Sequence, residues 1–357
     1  MKSLEISIII ATFNSERTLG KVLESIKKQT FPKDKLEILV VDGGSYDKTL
    51  KIARMYKCKI IKNPMVEPLT AKYLGFLKAS GKYLIGLDHD EVFKNRQSLE
   101  KRLKVFKDRR VKALHSSGYI TPRSCSPINF YVNEFGDPFS FFIYKLSKDV
   151  RFFAKSLRQK YKVVYENDNY FLIKILHLDQ RAPLMELLAG GGMVDREYIL
   201  KKFKKLIPNK KLFLPHLHLH LLSINPYIAV MKNDPLYHYS AESLKKYLLK
   251  LEWRVRNNIY FSAEAGSAGF LKREEFEGKN ADIKKFLFIP YSLSIILPLL
   301  DAFYLSVTRG NAIFLIHFPL SIFTTALIIY HYLRRVFGFY PAYTSYDGSS
   351  KILKQWR

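Results

Sequence analysis

Ile6-Ser-Ile-Ile-Ile-Ala11 runs straight into Thr12-Phe-Asn14, and this junction between a buried run and a polar loop decides how the chain is read. A short apolar run of this kind suits a strand covered on both faces. It is too short for the apolar core of a signal peptide. The pattern recurs along the first ninety residues. Leu36–Val41 ends on Asp42, Cys58–Ile61 forms a third run, and Tyr83–Leu87 ends on Asp88. Helical spacings lie between them. Leu19, Val22, Leu23 and Ile26 follow a cap at Asn14 or Ser15, Leu50 and Ala53 follow the Gly43-Gly44 turn, and Leu74 and Leu77 follow a cap at Thr70. This β-α-β-α-β-α-β order predicts an α/β fold, a mostly parallel sheet with helices on both faces.

Such sheets bind ligands at the carboxyl ends of their strands. Thr12, Asn14, Asp42, Asp88 and Asp90 gather there. Three carboxylates at one rim repel one another unless a cation or a donor-rich ligand sits among them, which points to a metal–nucleotide site. Asp88 and Asp90 stand at i and i+2 after a strand and can reach one divalent ion. A hard ion, Mg²⁺ or Mn²⁺, prefers such oxygen ligands and leaves coordination open for phosphates. A GxGxxG loop after the first strand is absent, which excludes a dinucleotide-binding reading. The first loop, Ala11–Thr18, has no glycine to cradle a triphosphate, which argues against a nucleotidyltransferase.

The chain of 357 residues carries 59 Lys and Arg against 32 Asp and Glu, a formal charge of +27. That balance fits anionic partners. The cations are spread along the chain without a zinc-finger or RNA-binding signature, so a membrane surface and phosphate rank above nucleic acid. Cys58 and Cys125 make no CxxC pair. Ile128–Leu146 is rich in aromatics, as expected of a packing segment, with a membrane-surface element as the alternative. Ser243–Arg256 reads as a basic amphipathic helix. Phe286–Thr308 carries one charge, Asp301, and Gly310–Leu333 carries none. The second stretch is long enough to cross a bilayer. The pair predicts a two-helix transmembrane hairpin, with Lys284, Lys285, Arg334 and Arg335 on the cytoplasmic side by the positive-inside rule.

Several of these segments together resemble the family 2 glycosyltransferases of GT-A fold. They are Ser7-Ile-Ile-Ile-Ala-Thr-Phe-Asn14 with Glu16; Ile38-Leu-Val-Val-Asp42-Gly-Gly-Ser45 with Asp47 and Thr49; Ala71-Lys72-Tyr73-Leu74-Gly75; and Leu87-Asp88-His89-Asp90. The resemblance runs in order over residues 4 to 95 and implies inverting transfer from a nucleotide-diphosphate sugar. It puts Thr12, Asn14 and Glu16 near the base, Asp42 near base or ribose, and Asp88 and Asp90 at ribose and metal. Lys72 stands where the family often has Arg. More loosely, Gly190-Gly191-Gly192 with Asp195 and Arg196 resembles the acceptor loop, and Pro235-Leu-Tyr-His238 the late His-containing segment. The implied division is a nucleotide-sugar half at 1–125, an acceptor half at 126–283, the hairpin at 284–335 and a cytoplasmic tail at 336–357.

One departure bears on mechanism. The family usually has a Glu-Asp pair about twenty residues after the acceptor-loop Arg, and its Asp is the general base. Here the counterpart is Pro215-His216-Leu217-His218-Leu219-His220, which puts His216 at the base position. His serves as a base near neutral pH, and Asp195 is the remaining carboxylate candidate. A phosphate acceptor needs no base, so the departure favours a polyprenyl phosphate over a hydroxyl; the expected acceptor is lipid-linked, a polyprenyl phosphate or a glycolipid. A degenerate scaffold subunit is the non-enzyme alternative.

Overall fold

The first apolar run forms β1, Ile6–Thr12, buried along its whole length. The computed structural model describes residues 4–64, 66–175, 190–209, 213, 217–261, 284–342 and 344. Helix α1, Leu19–Lys27, starts later than expected. Its N-cap is Thr18, while Asn14 and Ser15 stay in the loop, and the Ser15 carbonyl accepts the Thr18 and Leu19 N–H groups. Next come β2, Leu36–Asp42; α2, Thr49–Met55; and β3, Lys59–Lys62. Helix α3, Pro68–Lys78, begins behind Glu67, two residues before the expected cap at Thr70, because Pro68 suits the first helical turn. Gly75 lets α3 lie close on the sheet. A Cβ there would stand 2.5 Å from Ile9 Cγ2.

Strand β4, Tyr83–Asp88, turns through His89 and Asp90 into β5, Glu91–Phe93. Then follow α4, Ser98–Val105; β6, Ala113–His115; and β7, Tyr119–Ile120. The aromatic segment folds as α5, Ile128–Phe135, and α6, Pro138–Tyr144. Beyond it lie α7, Phe153–Lys160; β8, Lys162–Glu166; β9, Tyr170–Lys174; β10, Met193–Asp195; and α8, Arg196–Lys202. Helix α9, Leu217–Ile224, precedes β11, Tyr227–Met231, and β12, Leu236–His238.

Among the described residues the strands form a nine-stranded sheet of order β3-β2-β1-β4-β10-β6-β11-β9-β8 and a three-stranded sheet of order β5-β12-β7. The first four strands of the chain are parallel, as expected. Strand β10 then enters antiparallel between β4 and β6. Strands from residues 1–125 and from residues 126–283 therefore share one sheet. Its two faces are covered by separate apolar clusters. One is built on Ile8, Ile10, Leu23 and Val40, the other on Ile9, Leu39, Phe76 and Leu84, so alternate residues of β1 serve opposite layers.

The basic segment forms α10, Leu244–Tyr260, capped by Ser243, whose hydroxyl accepts the Lys246 N–H. The apolar C-terminal region departs from a hairpin of two straight spans. Helices α11, Phe288–Leu293, and α12, Ile296–Arg309, belong to a segment bent by 90°. Ile295 at the break has φ +61, a conformation costly for a β-branched side chain. Residues 312–336, a 3₁₀ turn followed by α13, His317–Val336, form the one straight helix among the described residues long and apolar enough to cross a membrane.

Candidate active site

Loops at the carboxyl ends of β1 and β2 are laced together. The Ser15 N–H donates to Thr49 Oγ1 (2.6 Å) and the Asn14 N–H to Ser45 Oγ (2.8 Å). Asn14 Oδ1 accepts the Tyr46 N–H (3.1 Å), and Glu16 Oε2 accepts the Lys48 N–H (3.0 Å). Asp42 is the hub below them. Its oxygens accept from Thr12 Oγ1, Ser45 Oγ and the N–H groups of Gly44 and Ser45, all within 3.0 Å. Its carboxylate therefore shapes the loop that presents Tyr46. That side chain, 86% exposed, meets Phe13 edge to face and offers an apolar surface at the rim.

The β4–β5 turn lies beside these loops, tied to them by His89 Nδ1 and Thr18 Oγ1 at 3.0 Å. Lys72, reaching from α3, holds Asp88 Oδ1 at 2.8 Å. Burial would raise the Asp88 carboxyl, but the Lys72 ammonium outweighs it and keeps the group below its ordinary value. Asp90 faces His238 from β12, with Oδ1 and Nε2 3.6 Å apart, beyond hydrogen-bond range. Burial lowers the His238 pKa against the pull of Asp90 and Asp88, so its ring is neutral at pH 7. His238 Nδ1 is buried without a hydrogen-bond partner, and the ring lies on Tyr119 with centroids 4.4 Å apart.

A neutral imidazole and a carboxylate that face each other without bonding both keep ligand capacity. Asp90 and His238, with Asp88 two residues away, fit a hard or borderline divalent ion. No group of three or more His, Cys, Asp or Glu side chains gathers in metal-binding geometry among the described residues.

Beneath the turn sits Glu91, fully buried. It accepts the Asp88 N–H (2.9 Å), the Tyr119 hydroxyl and the Gly190 N–H (2.9 Å). Burial and the Asp88 carboxylate raise its pKa to about 8. Gly190 and Gly191 both have positive φ, and the Gly191 carbonyl accepts from the Arg102 guanidinium. A Cβ on Gly191 would stand 2.8 Å from Leu236 Cδ1. The glycine run is thus a packed corner, and the Gly192 carbonyl continues it by accepting the Gly86 N–H. Arg102 is itself fully buried and ion-paired to Asp234 at 2.7 Å.

Two expected residues lie elsewhere. Asp195 pairs with Tyr83 at the start of β4, five residues from Asp88, or about 17 Å along the strand. There it caps α8, accepting the Tyr198 N–H at 3.0 Å, and meets Lys112 at 3.3 Å. Arg196 lies at the same far edge, donating to the Phe76 carbonyl near the end of α3. Strand β10 runs antiparallel, so each step past the glycines leads away from the rim. Neither residue is positioned to act on a ligand at Asp88. His216 lies outside the described residues.

Residues 7–152 match the family model described as Glycosyl transferase family 2. Over these residues the chain carries a family 2 glycosyltransferase domain. Its parallel β3-β2-β1-β4 core, joined by an antiparallel β10, is GT-A-like. The poly(ribitol-phosphate) beta-N-acetylglucosaminyltransferase TarS of Staphylococcus aureus is 32% identical over 103 residues, 27% of this chain and 18% of that protein. A Methanococcus voltae protein is 38% identical over 87 residues, 22% of this chain and 27% of its own length. It is named dolichyl N-acetyl-alpha-D-glucosaminyl phosphate 3-beta-D-2,3-diacetamido-2,3-dideoxy-beta-D-glucuronosyltransferase. The chain thus spans less than a third of the length of these curated relatives. Among solved structures, the mannosyltransferase PcManGT from Pyrobaculum calidifontis, in complex with GDP-Man and Mn²⁺, is 13% identical with a TM-score of 0.47. The match covers 95% of this chain and 88% of that one.

The structure also brings to this site residues that the sequence reading missed. Glu91 was legible only as the neighbour of Asp90. Tyr119 carried no signal. Arg102 and Asp234 stand 132 residues apart, and neither sits in a motif.

Proposed function

We propose that the chain is an inverting glycosyltransferase that moves a sugar from a nucleotide-diphosphate sugar to a lipid-linked acceptor, a polyprenyl phosphate or a glycolipid, at the cytoplasmic face of a membrane. The observation that carries the donor half is the Asp88–Asp90 turn, backed by neutral His238 and charge-balanced by Lys72. Tyr46 and Phe13 supply a surface on which a base can stack, and the Asp42 loop supports them. Asp90 and His238, with Asp88 beside them, would hold Mg²⁺ or Mn²⁺. When bound, such an ion neutralises charge on the departing diphosphate.

Helix α5 supports the acceptor half. On one face Asn133 Nδ2 donates to the His238 carbonyl at 2.9 Å. On its other faces Tyr131 bonds His317 (2.6 Å) and Glu134 bonds Arg309 (2.7 Å) in the apolar C-terminal unit. One helix, about 10 Å across, thus lies between the site and an apolar surface. The Methanococcus voltae relative, with a dolichyl phosphate sugar in its name, agrees with this reading. Of the expected two-span hairpin, residues 312–336 are long and apolar enough to span, while the first half is bent by 90°.

In the reaction the acceptor oxygen bonds to the anomeric carbon as the bond to the diphosphate oxygen breaks. The nucleoside diphosphate leaves with the electron pair. Lys72 is positioned to share its charge between Asp88 and the diphosphate. A phosphate acceptor brings its own anionic oxygen, whereas a hydroxyl must lose a proton, and His216 is the proposed base for that case. A donor panel assayed for nucleotide-diphosphate release, with and without polyprenyl phosphate or glycolipid, tests the reading. Release that no lipid stimulates would overturn the acceptor assignment. His216→Ala is expected to cost about 10²–10⁴-fold with a hydroxyl acceptor and far less with a phosphate. An unchanged hydroxyl-acceptor rate would remove His216 from the mechanism.

A further inference from the structure

Helix α13 has the polarity of a soluble helix turned inside out. His317, Ser321, Thr324, Thr325 and His331 lie on its buried side. Its outer side, with Leu333 half exposed, adjoins the exposed apolar surface of α11 and α12, on which Leu293, Ile296, Leu300, Phe303 and Val307 are each at least half exposed. Such a continuous surface marks an interaction face.

Two observations limit how this unit meets a bilayer. The first is the 90° bend, which leaves α12 with 14 residues, about 21 Å, too short to cross the roughly 30 Å hydrocarbon layer. The second is the path of α13. Near its start His317 bonds Tyr131 of α5. Near its end Tyr260 donates to the His331 carbonyl (2.8 Å) and Arg335 to the Ile259 carbonyl (2.7 Å), both at the end of α10. At the other end of α10, Tyr247 and Leu251 share a cluster with Leu320. Helix α10 therefore accompanies α13 for most of its length, and α10 bears Lys245, Lys246, Lys250, Glu252, Arg254 and Arg256. Were α13 to cross a membrane in this packing, those six ionisable groups would lie at hydrocarbon depth, where charged side chains are strongly disfavoured.

We propose that α10–α13 form a one-leaflet anchor. The outer face of α11–α13 dips into the acyl layer of an anionic leaflet, α10 lies at headgroup level, and both ends of α13 stay on the side of the catalytic domain. Basic residues at the ends of the segment, Lys284, Lys285, Arg334 and Arg335, supply charge for anionic headgroups. The inference concerns topology and stands apart from the donor and acceptor assigned above.

The test uses the full chain with Cys58→Ser and Cys125→Ser, and single cysteines at Met55→Cys in α2, Thr308→Cys before α13 and Tyr340→Cys after it. Sealed vesicles of each orientation are treated with a membrane-impermeant maleimide. All three positions should react from one face. Tyr340→Cys reacting only from the face opposite Met55→Cys would overturn the anchor and restore a span. In parallel, Leu300→Glu with Phe303→Glu should lower partition into phosphatidylglycerol-containing vesicles about 100-fold, with the thermal melt retained. Undiminished vesicle binding would overturn it. So would a wild-type chain that forms a detergent-free dimer without binding vesicles, which would assign the apolar face to a second copy. Nucleotide release in detergent is read separately, so a topology failure and a failure of the transferase reading are distinguishable.

Discussion

Asp90→Ala should lower sugar transfer by about 10²–10³-fold, with most of the loss in kcat. The expectation follows from the pair that Asp90 makes with His238, 3.6 Å apart and unbonded, at the rim where the diphosphate of a donor would lie. An ion held there offsets charge that grows as the leaving group departs, so its loss is felt mainly in the transition state. Several kcal/mol of such stabilisation corresponds to that range. Chelation of the wild-type enzyme should give a similar collapse, reversed by Mn²⁺ or Mg²⁺. Added Mn²⁺ should not restore Asp90→Ala, and Asp90→Glu should recover part of the rate. Steady-state kinetics with a metal titration make the measurement. Wild-type kcat in Asp90→Ala, or activity indifferent to chelation, would remove the metal from the proposed mechanism.

Asp234→Ala should destabilise the fold by about 3–5 kcal/mol, because it leaves the Arg102 guanidinium buried without its counter-ion. Both side chains are fully buried. Arg102 also donates to the Gly191 carbonyl, and Asp234 accepts from Ser98, so the pair holds α4, the glycine corner and the approach to β12 in one arrangement. Replacing both partners, Arg102→Met with Asp234→Leu, should recover much of the loss, since a buried pair is strongly missed only when one member remains. Equilibrium urea unfolding of the wild type, the single variant and the double variant checks this. A single-variant loss below about 1 kcal/mol would mean that the corner does not depend on the pair.

The limits of the sequence reading are visible at particular residues. Asp195 was a candidate because it follows three glycines and precedes Arg196. Only the antiparallel pairing of β10 with β4 puts it at the wrong edge of the sheet. A hydrogen-bond register between distant strands leaves no local trace. His238 was assigned to the acceptor side, yet its register against Glu91 in the small sheet turns it toward Asp90. Asn14 or Ser15 was expected to cap the first helix, but Asn14 bonds Ser45 and Tyr46 from the neighbouring loop, with φ +46, and Thr18 takes the cap position.

By itself the sequence determined the four parallel strands with their helices, the acidic groups at the strand ends and the apolar C-terminal unit. These are local matters. Each strand is an apolar run closed by a polar residue, and strand direction decides which end becomes the rim. Tertiary structure alone decided which distant groups share that rim. It set Lys72 on Asp88, His238 against Asp90 and Glu91 beneath the turn, and it buried Arg102 with Asp234. It also decided the path of the apolar unit. Composition registers how apolar a segment is, whereas the bend at Ile295 and the packing of α13 along charged α10 are contacts between segments.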